Sequence, residues 1–190
     1  MSNGRFWAPR AFIAAVTVVA AAGCGSVGGP EVHQVAGSEM SRVRLYSSVA
    51  ELAADSRLVI EGTVTGQSVA ADVDAMTDFT LSEVKVVRSM RGADRVVAGD
   101  SVVVRQMGSD KQHPSVPILV PGHVYLLYLT PSGLEGSLSS QYYVTGANAG
   151  IYVEQPTGQA KNGAAKTFAQ VQRQPGETLP SDLNDTQAVG

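Results

Sequence analysis

The sequence predicts a mainly β protein, a small antiparallel barrel of five to six strands with one short helix at its N-terminal end and flexible segments on either side. Three observations predict it. Between Val43 and Glu154, short runs rich in Val, Leu, Ile and Tyr recur, separated by Gly-Asp and Pro-Gly turns. A single serine-led capping pattern opens a single short amphipathic stretch. The second strand changes its apolar phase partway along, as strands do where a bulge turns the corner of a small barrel.

Residues 1–23 are expected to be a signal peptide. Arg5 and Arg10 are the only charges before the apolar run Ala11 to Ala22. That run fits the ~7–15 residues of a signal-peptide apolar region and falls short of the ~20 a spanning helix needs. Ala21-Ala22-Gly23-Cys24 resembles the lipobox of bacterial lipoproteins, with Ala21 where that family usually carries a branched aliphatic residue. The resemblance implies acylation of Cys24 and cleavage before it. Cys24 is the only cysteine, so an exported chain has no internal disulfide to make with it. The alternative is cleavage near Ala20-Ala21-Ala22 without lipid, leaving a free thiol. With two or three acyl chains, at about 0.8 kcal/mol per buried CH₂, anchoring would be essentially permanent.

Removal of Arg5 and Arg10 leaves 12 basic against 17 acidic residues, a formal charge of −5. Mild acidity argues against nucleic acid or an anionic lipid surface as partner. Residues 24–42 are rich in Gly and Ser and lack an apolar period, which predicts a flexible tether. Residues 43–154 hold the barrel. Ser48-Val49-Ala50-Glu51 has capping-box spacing, and Val49, Leu52 and Ala53 share a face, which predicts a two-turn helix ending near Asp55-Ser56. Leu58 to Thr65 alternates, with Leu58, Ile60 and Val64 on one side and Gly62 marking a bend or a close backbone approach. A polar, acidic loop is expected over Ser68–Thr77.

A second strand is predicted from Phe79 to Val87, where Phe79 and Leu81 have one parity and Val84 and Val86 the other. Gly99-Asp100 turns into a strand Ser101–Met107, and a loop through Pro114 and Pro117 leads to the Pro121-Gly122 turn. His123 to Thr130 is apolar on both parities, as expected of the most enclosed strand. Gln141–Thr145 and Gly150–Glu154 complete the set. Residues 155–190 hold few branched apolar residues and are expected to be a disordered tail, with at most a short helix around Thr167–Gln172.

Asp55 to Val64, Val84 to Arg91-Gly92, Gly99-Asp100 to Val104, and Pro121-Gly122-His123-Val124-Tyr125-Leu126-Leu127 together resemble a loose group of uncharacterised secreted and lipid-anchored bacterial proteins. The layout is also similar to the OB-like barrel of tissue inhibitors of metalloproteinases and netrin modules. Those modules carry several disulfides and the inhibitors act through an N-terminal cysteine, so the resemblance implies the fold and not the inhibitory chemistry.

His33, His113 and His123 lack local metal-ligand spacing, and each reads as a loop or surface histidine. No Gly-x-Ser-x-Gly elbow occurs among the serines. The alternate carboxylates of Asp72, Asp74 and Asp78 suggest Ca²⁺, but no glycine stands at the sixth position of an EF-hand loop, and a solvated barrel loop is the simpler reading. Tyr125, Tyr128, Tyr142, Tyr143 and Tyr152 fall on the last strands, either as an aromatic binding face or as core. No catalytic residue, metal or cofactor is expected. The expected function is that of a membrane-anchored envelope lipoprotein on the extracytoplasmic face, a non-enzymatic binding module for an envelope protein or cell-wall component. The alternative is a secreted hydrolase or metal-dependent enzyme, which convergence of His113, His123 and a carboxylate in one cleft would favour.

Overall fold

The computed structural model describes residues 44–92, 95–114, 116–156 and 165–189. The expected signal segment 1–23, Cys24, the tether 24–42 and His33 lie outside them. The first element is α1 (Val49–Asp55), followed by β1 (Leu58–Ala70), β2 (Phe79–Arg91), β3 (Ser101–Met107) and β4 (Val124–Pro131). A 3-10 turn (Gly136–Ser140) leads to β5 (Tyr142–Val144), and β6 (Ile151–Glu154), β7 (Thr167–Gln170) and β8 (Asp182–Asn184) follow.

Five strands close on themselves in the order β1-β2-β3-β5-β4, with β4 pairing back to β1. This is the OB-like barrel that the sequence predicts. It is mixed rather than wholly antiparallel, because β3 meets β5 in parallel at Val104 and Tyr142. Alternation in β1, β2 and β3 sends Leu58, Ile60, Val64, Val84, Val86, Val102 and Val104 inward, where Tyr125, Leu127, Leu129 and Val144 meet them. Gly62 faces that interior. A Cβ there would lie 2.5 Å from Val84 Cγ1 and 3.0 Å from the Lys85 carbonyl oxygen, so the close approach expected of this glycine is real.

The phase change expected to be a bulge between Leu81 and Val84 has another origin. β2 pairs with β3 without interruption from Thr80 to Lys85, and Thr80, Ser82, Val84 and Val86 all point inward in one regular phase. Two of those inward positions are polar, and the apolar Phe79 and Leu81 lie outside. The register shifts lie between β1 and β2, at Val59/Ile60, Glu61/Gly62 and Val64/Gly66. The acidic loop is also shorter than expected, because β1 continues to Ala70.

A second core lies on the outer side of the barrel wall. It joins Leu52 and Ala53 of α1 to Val59, Leu126, Tyr128 and Tyr152, and takes in Phe168, Leu179, Leu183 and Ala188. Residues 165–189 are therefore not the disordered tail expected of them, and Thr167–Gln170 is a strand rather than a helix. β7 pairs with β6, and β8 with β7. The segment has few apolar residues of its own, but Phe168, Leu179, Leu183 and Ala188 settle on an apolar surface that the barrel already presents. Burying Phe168 there contributes on the order of 2 kcal/mol, and sheet pairing satisfies the backbone.

β5 and β6 share one edge of β4. Val144 to Tyr142 pair with Leu129 to Pro131, and Ile151 to Val153 pair with Leu127 to Tyr125. Between them the turn 145–150 bulges out opposite Tyr128, whose carbonyl accepts from Thr145 N–H (2.9 Å) and whose N–H donates to Gly150 O (3.0 Å). One half of this broken strand closes the barrel. The other half carries the sheet outward to β7 and β8.

Candidate functional site

The outer core covers the wall formed by the start of β1 with β4 and β6, and leaves the outer face of the rest of β1, β2 and β3 open. Outward-facing Leu81 and Val103 make a half-buried apolar floor, bordered by Glu83 and Ser101, with Gln141 at one end. Gly66 interrupts the β1 side. A Cβ on it would have no atom within 4 Å, so the missing side chain leaves a trough. The groove has a volume of about 430 Å³. Its apolar floor and hydroxyl, amide and carboxylate rim suit an extended segment that offers both apolar and hydrogen-bonding groups.

Beside the groove stands Arg105, which sequence reasoning missed. Its side chain is 0 % exposed. Nη1 donates to Gln141 Oε1 (2.7 Å) and Nη2 pairs with Asp72 of the β1–β2 loop. The guanidinium carbon lies 4.6 Å from the centroid of the Phe79 ring, close enough for a cation–π attraction. A guanidinium out of water requires this kind of pairing. The signal in the sequence is a charge embedded in the valine strand Ser101–Met107, on a parity that an outward, solvated arginine would also occupy.

The carboxylates suggested as calcium ligands have protein partners. Asp72 holds Arg105, Asp74 Oδ1 accepts from Met76 N–H (2.9 Å), and Asp78 Oδ2 accepts from the Ser109 hydroxyl (2.6 Å). His113 and His123 are exposed on the loop between β3 and β4, and the His123 ring lies 6.2 Å from that of Tyr125. Among the described residues no three His, Cys, Asp or Glu side chains gather as a metal site would require.

The tyrosines divide between the two cores and one opening in the wall. Tyr125 lies inside the barrel, and its hydroxyl accepts from Val120 N–H (3.0 Å). Burial raises its pKa, partly offset by that hydrogen bond. Tyr128 and Tyr152 are in the outer core, with ring centroids 6.1 Å apart. The Tyr128 hydroxyl donates to Ala188 O (2.7 Å) and that of Tyr152 to Pro180 O (3.3 Å). Tyr142 packs against the barrel core from a half-buried position, and half-buried Tyr143 lines an opening between β3 and β5.

Among the described residues no helix is long and apolar enough to cross a membrane. No protein-family model matches the chain, and no curated protein matches it either.

Proposed function

We propose that this chain is a cell-envelope lipoprotein, anchored on the extracytoplasmic face by lipid on Cys24, whose barrel binds an envelope protein or a cell-wall component without catalysing a reaction. The observation that carries the binding role is the groove across β1, β2 and β3, on the barrel face that α1 and residues 165–189 leave uncovered. OB-like barrels bind oligomeric ligands across this face, an analogy of fold that supports the location and says nothing of the ligand. The anchor rests on the lipobox-like residues Ala21 to Cys24.

Two measurements test the two halves separately. The N-terminal peptide of the mature protein should begin at Cys24 and carry the mass of a diacylglyceryl group, and Cys24→Ser should lose it. A peptide beginning elsewhere with a free thiol at Cys24 overturns the anchor. For the groove, a photocrosslinking residue at exposed Ser101 should capture a defined partner in intact cells, and Gly66→Trp should abolish capture. The space above Gly66 is open, so this variant fills the groove while leaving the thermal midpoint unchanged. Capture indifferent to Gly66→Trp would remove the groove from the function.

A further inference from the structure

The groove across β1, β2 and β3 holds one charge that the fold leaves unmatched. β2 turns Leu81, Glu83 and Lys85 outward in one phase, and on β3 they stand opposite Arg105, Val103 and Ser101. On the β1 side Glu83 stands opposite Gly66, which has no side chain. Cations therefore flank Glu83 along the sheet, Lys85 at one end and Arg105 at the other, but neither pairs with it. Lys85 Nζ donates to Gly99 O, and Arg105 pairs with Asp72. Among the described residues the exposed Glu83 carboxylate has no hydrogen bond or ion pair.

The one free charge of the groove is negative, and the chain as a whole carries a formal charge of −3, so cations are drawn to this face. Leu81 and Val103 beside the carboxylate are half-buried and apolar. A basic side chain suits both kinds of surface at once, because its stem lies on an apolar floor while its head stays at the wet rim. None of the lining residues is aromatic, so bases find no stacking platform, and a saccharide would meet the floor with hydroxyl groups. The spacing is that of an extended chain. Leu81 and Glu83 are two residues apart on one strand, roughly 7 Å, the separation at which an extended segment laid along β2 presents successive side chains to the same side.

We infer, on the reading that this groove is the barrel's binding surface, that its occupant is an extended segment of an envelope protein in which a lysine or arginine stands two residues from an apolar side chain. The basic head pairs with Glu83, and the apolar side chain lies against Leu81. Open space above Gly66 admits the backbone of the segment at the level of the carboxylate.

The test follows the Leu81 and Val103 methyl resonances of the ¹³C-methyl-labelled full chain in detergent during titration with the capped peptide Val-Ser-Lys-Ser-Val. Both methyls should shift saturably. Affinity should be about fivefold higher than for the same peptide with Nε-acetyl-lysine, which keeps the stem and loses the charge; that ratio is the upper range for an exposed ion pair. Glu83→Gln, at an exposed position, should bring the two affinities to within about a factor of one and a half. No saturable shift with the lysine peptide, equal affinities in the unaltered chain, or a preference that survives Glu83→Gln overturns the inference. So does a saturable shift of these methyls by N-acetylchitotetraose, which would make the groove a glycan site. Failure of the groove itself looks different. Crosslinking from Ser101 that is lost in Gly66→Trp but unaltered by Glu83→Gln overturns the basic segment and leaves the groove in place, whereas capture indifferent to Gly66→Trp removes both.

Discussion

Capping-box spacing points to Ser48 and Glu51, and the structure places both at the start of α1 with one change of partner. Glu51 N–H donates to Ser48 Oγ (3.2 Å), as a capping box requires. The Glu51 carboxylate reaches one residue further back and accepts from Ser47 N–H (2.9 Å) and the Ser47 hydroxyl (2.7 Å), while Arg44 pairs with it from the side. Ser48→Ala should therefore cost about 1 kcal/mol, read as a shift of the urea midpoint; an unchanged midpoint would show that the Glu51 contacts alone hold the cap. The hydrogen bonds from Ser47, backbone first, with help from Arg44, lower the Glu51 pKa to about 2. A depressed carboxylate contributes stability above its ordinary value of 4.5 and loses it as the pH falls towards 2. Helical fraying that sets in as the pH falls through that window, followed by amide exchange at Ser47 to Leu52, checks the assignment.

At the scale of elements, β4 shows why a strand apolar on both parities need not lie between two layers of a barrel. Tyr125, Leu127 and Leu129 fill the interior, and Leu126 and Tyr128 face outward into a core made with α1 and residues 165–189. β7 and β8 depend on that second core. Phe168 is 0 % exposed within it, so Phe168→Ala should cost about 3–5 kcal/mol and make residues 165–189 the first site of proteolysis. A loss below about 1 kcal/mol would mean that β7 and β8 add little to stability. Charge reinforces the docking. Buried Glu61 on β1 pairs with Lys166 (2.5 Å) and Arg88 (3.3 Å), and Arg88 also reaches Asp185 (3.0 Å), so both ends of the segment are tied to the barrel wall.

For the whole molecule, those ties predict alkaline sensitivity. The hydrogen bond to Glu61 raises the Lys166 pKa from 10.5, and burial, followed by the neighbouring Tyr152, raises that of Tyr128 from 10.0. Groups whose folded pKa is raised contribute stability in full below their ordinary values and lose it as the pH rises above them. The urea midpoint should hold steady up to about pH 9 and fall beyond pH 10, with exchange opening first in β7 and β8; a flat profile to pH 12 would exclude this coupling. The sequence by itself determined the helix, the positions of the barrel strands along the chain and a special role for Gly62, because capping spacing, turn residues and period-two alternation are local properties of the chain. It also supplies the lipobox-like residues that end at Cys24, on which the proposed anchor rests. Only the tertiary structure decided the parallel closure of β3 on β5, the ordering of residues 165–189 and the burial of Arg105. Each of these depends on partners distant in sequence: Val104 needs Tyr142, Phe168 needs the outer faces of β4 and β6, and Arg105 needs Asp72, Phe79 and Gln141 at once. A pattern along the chain records which way a side chain faces, and folding decides whether that direction leads to water or to another part of the protein.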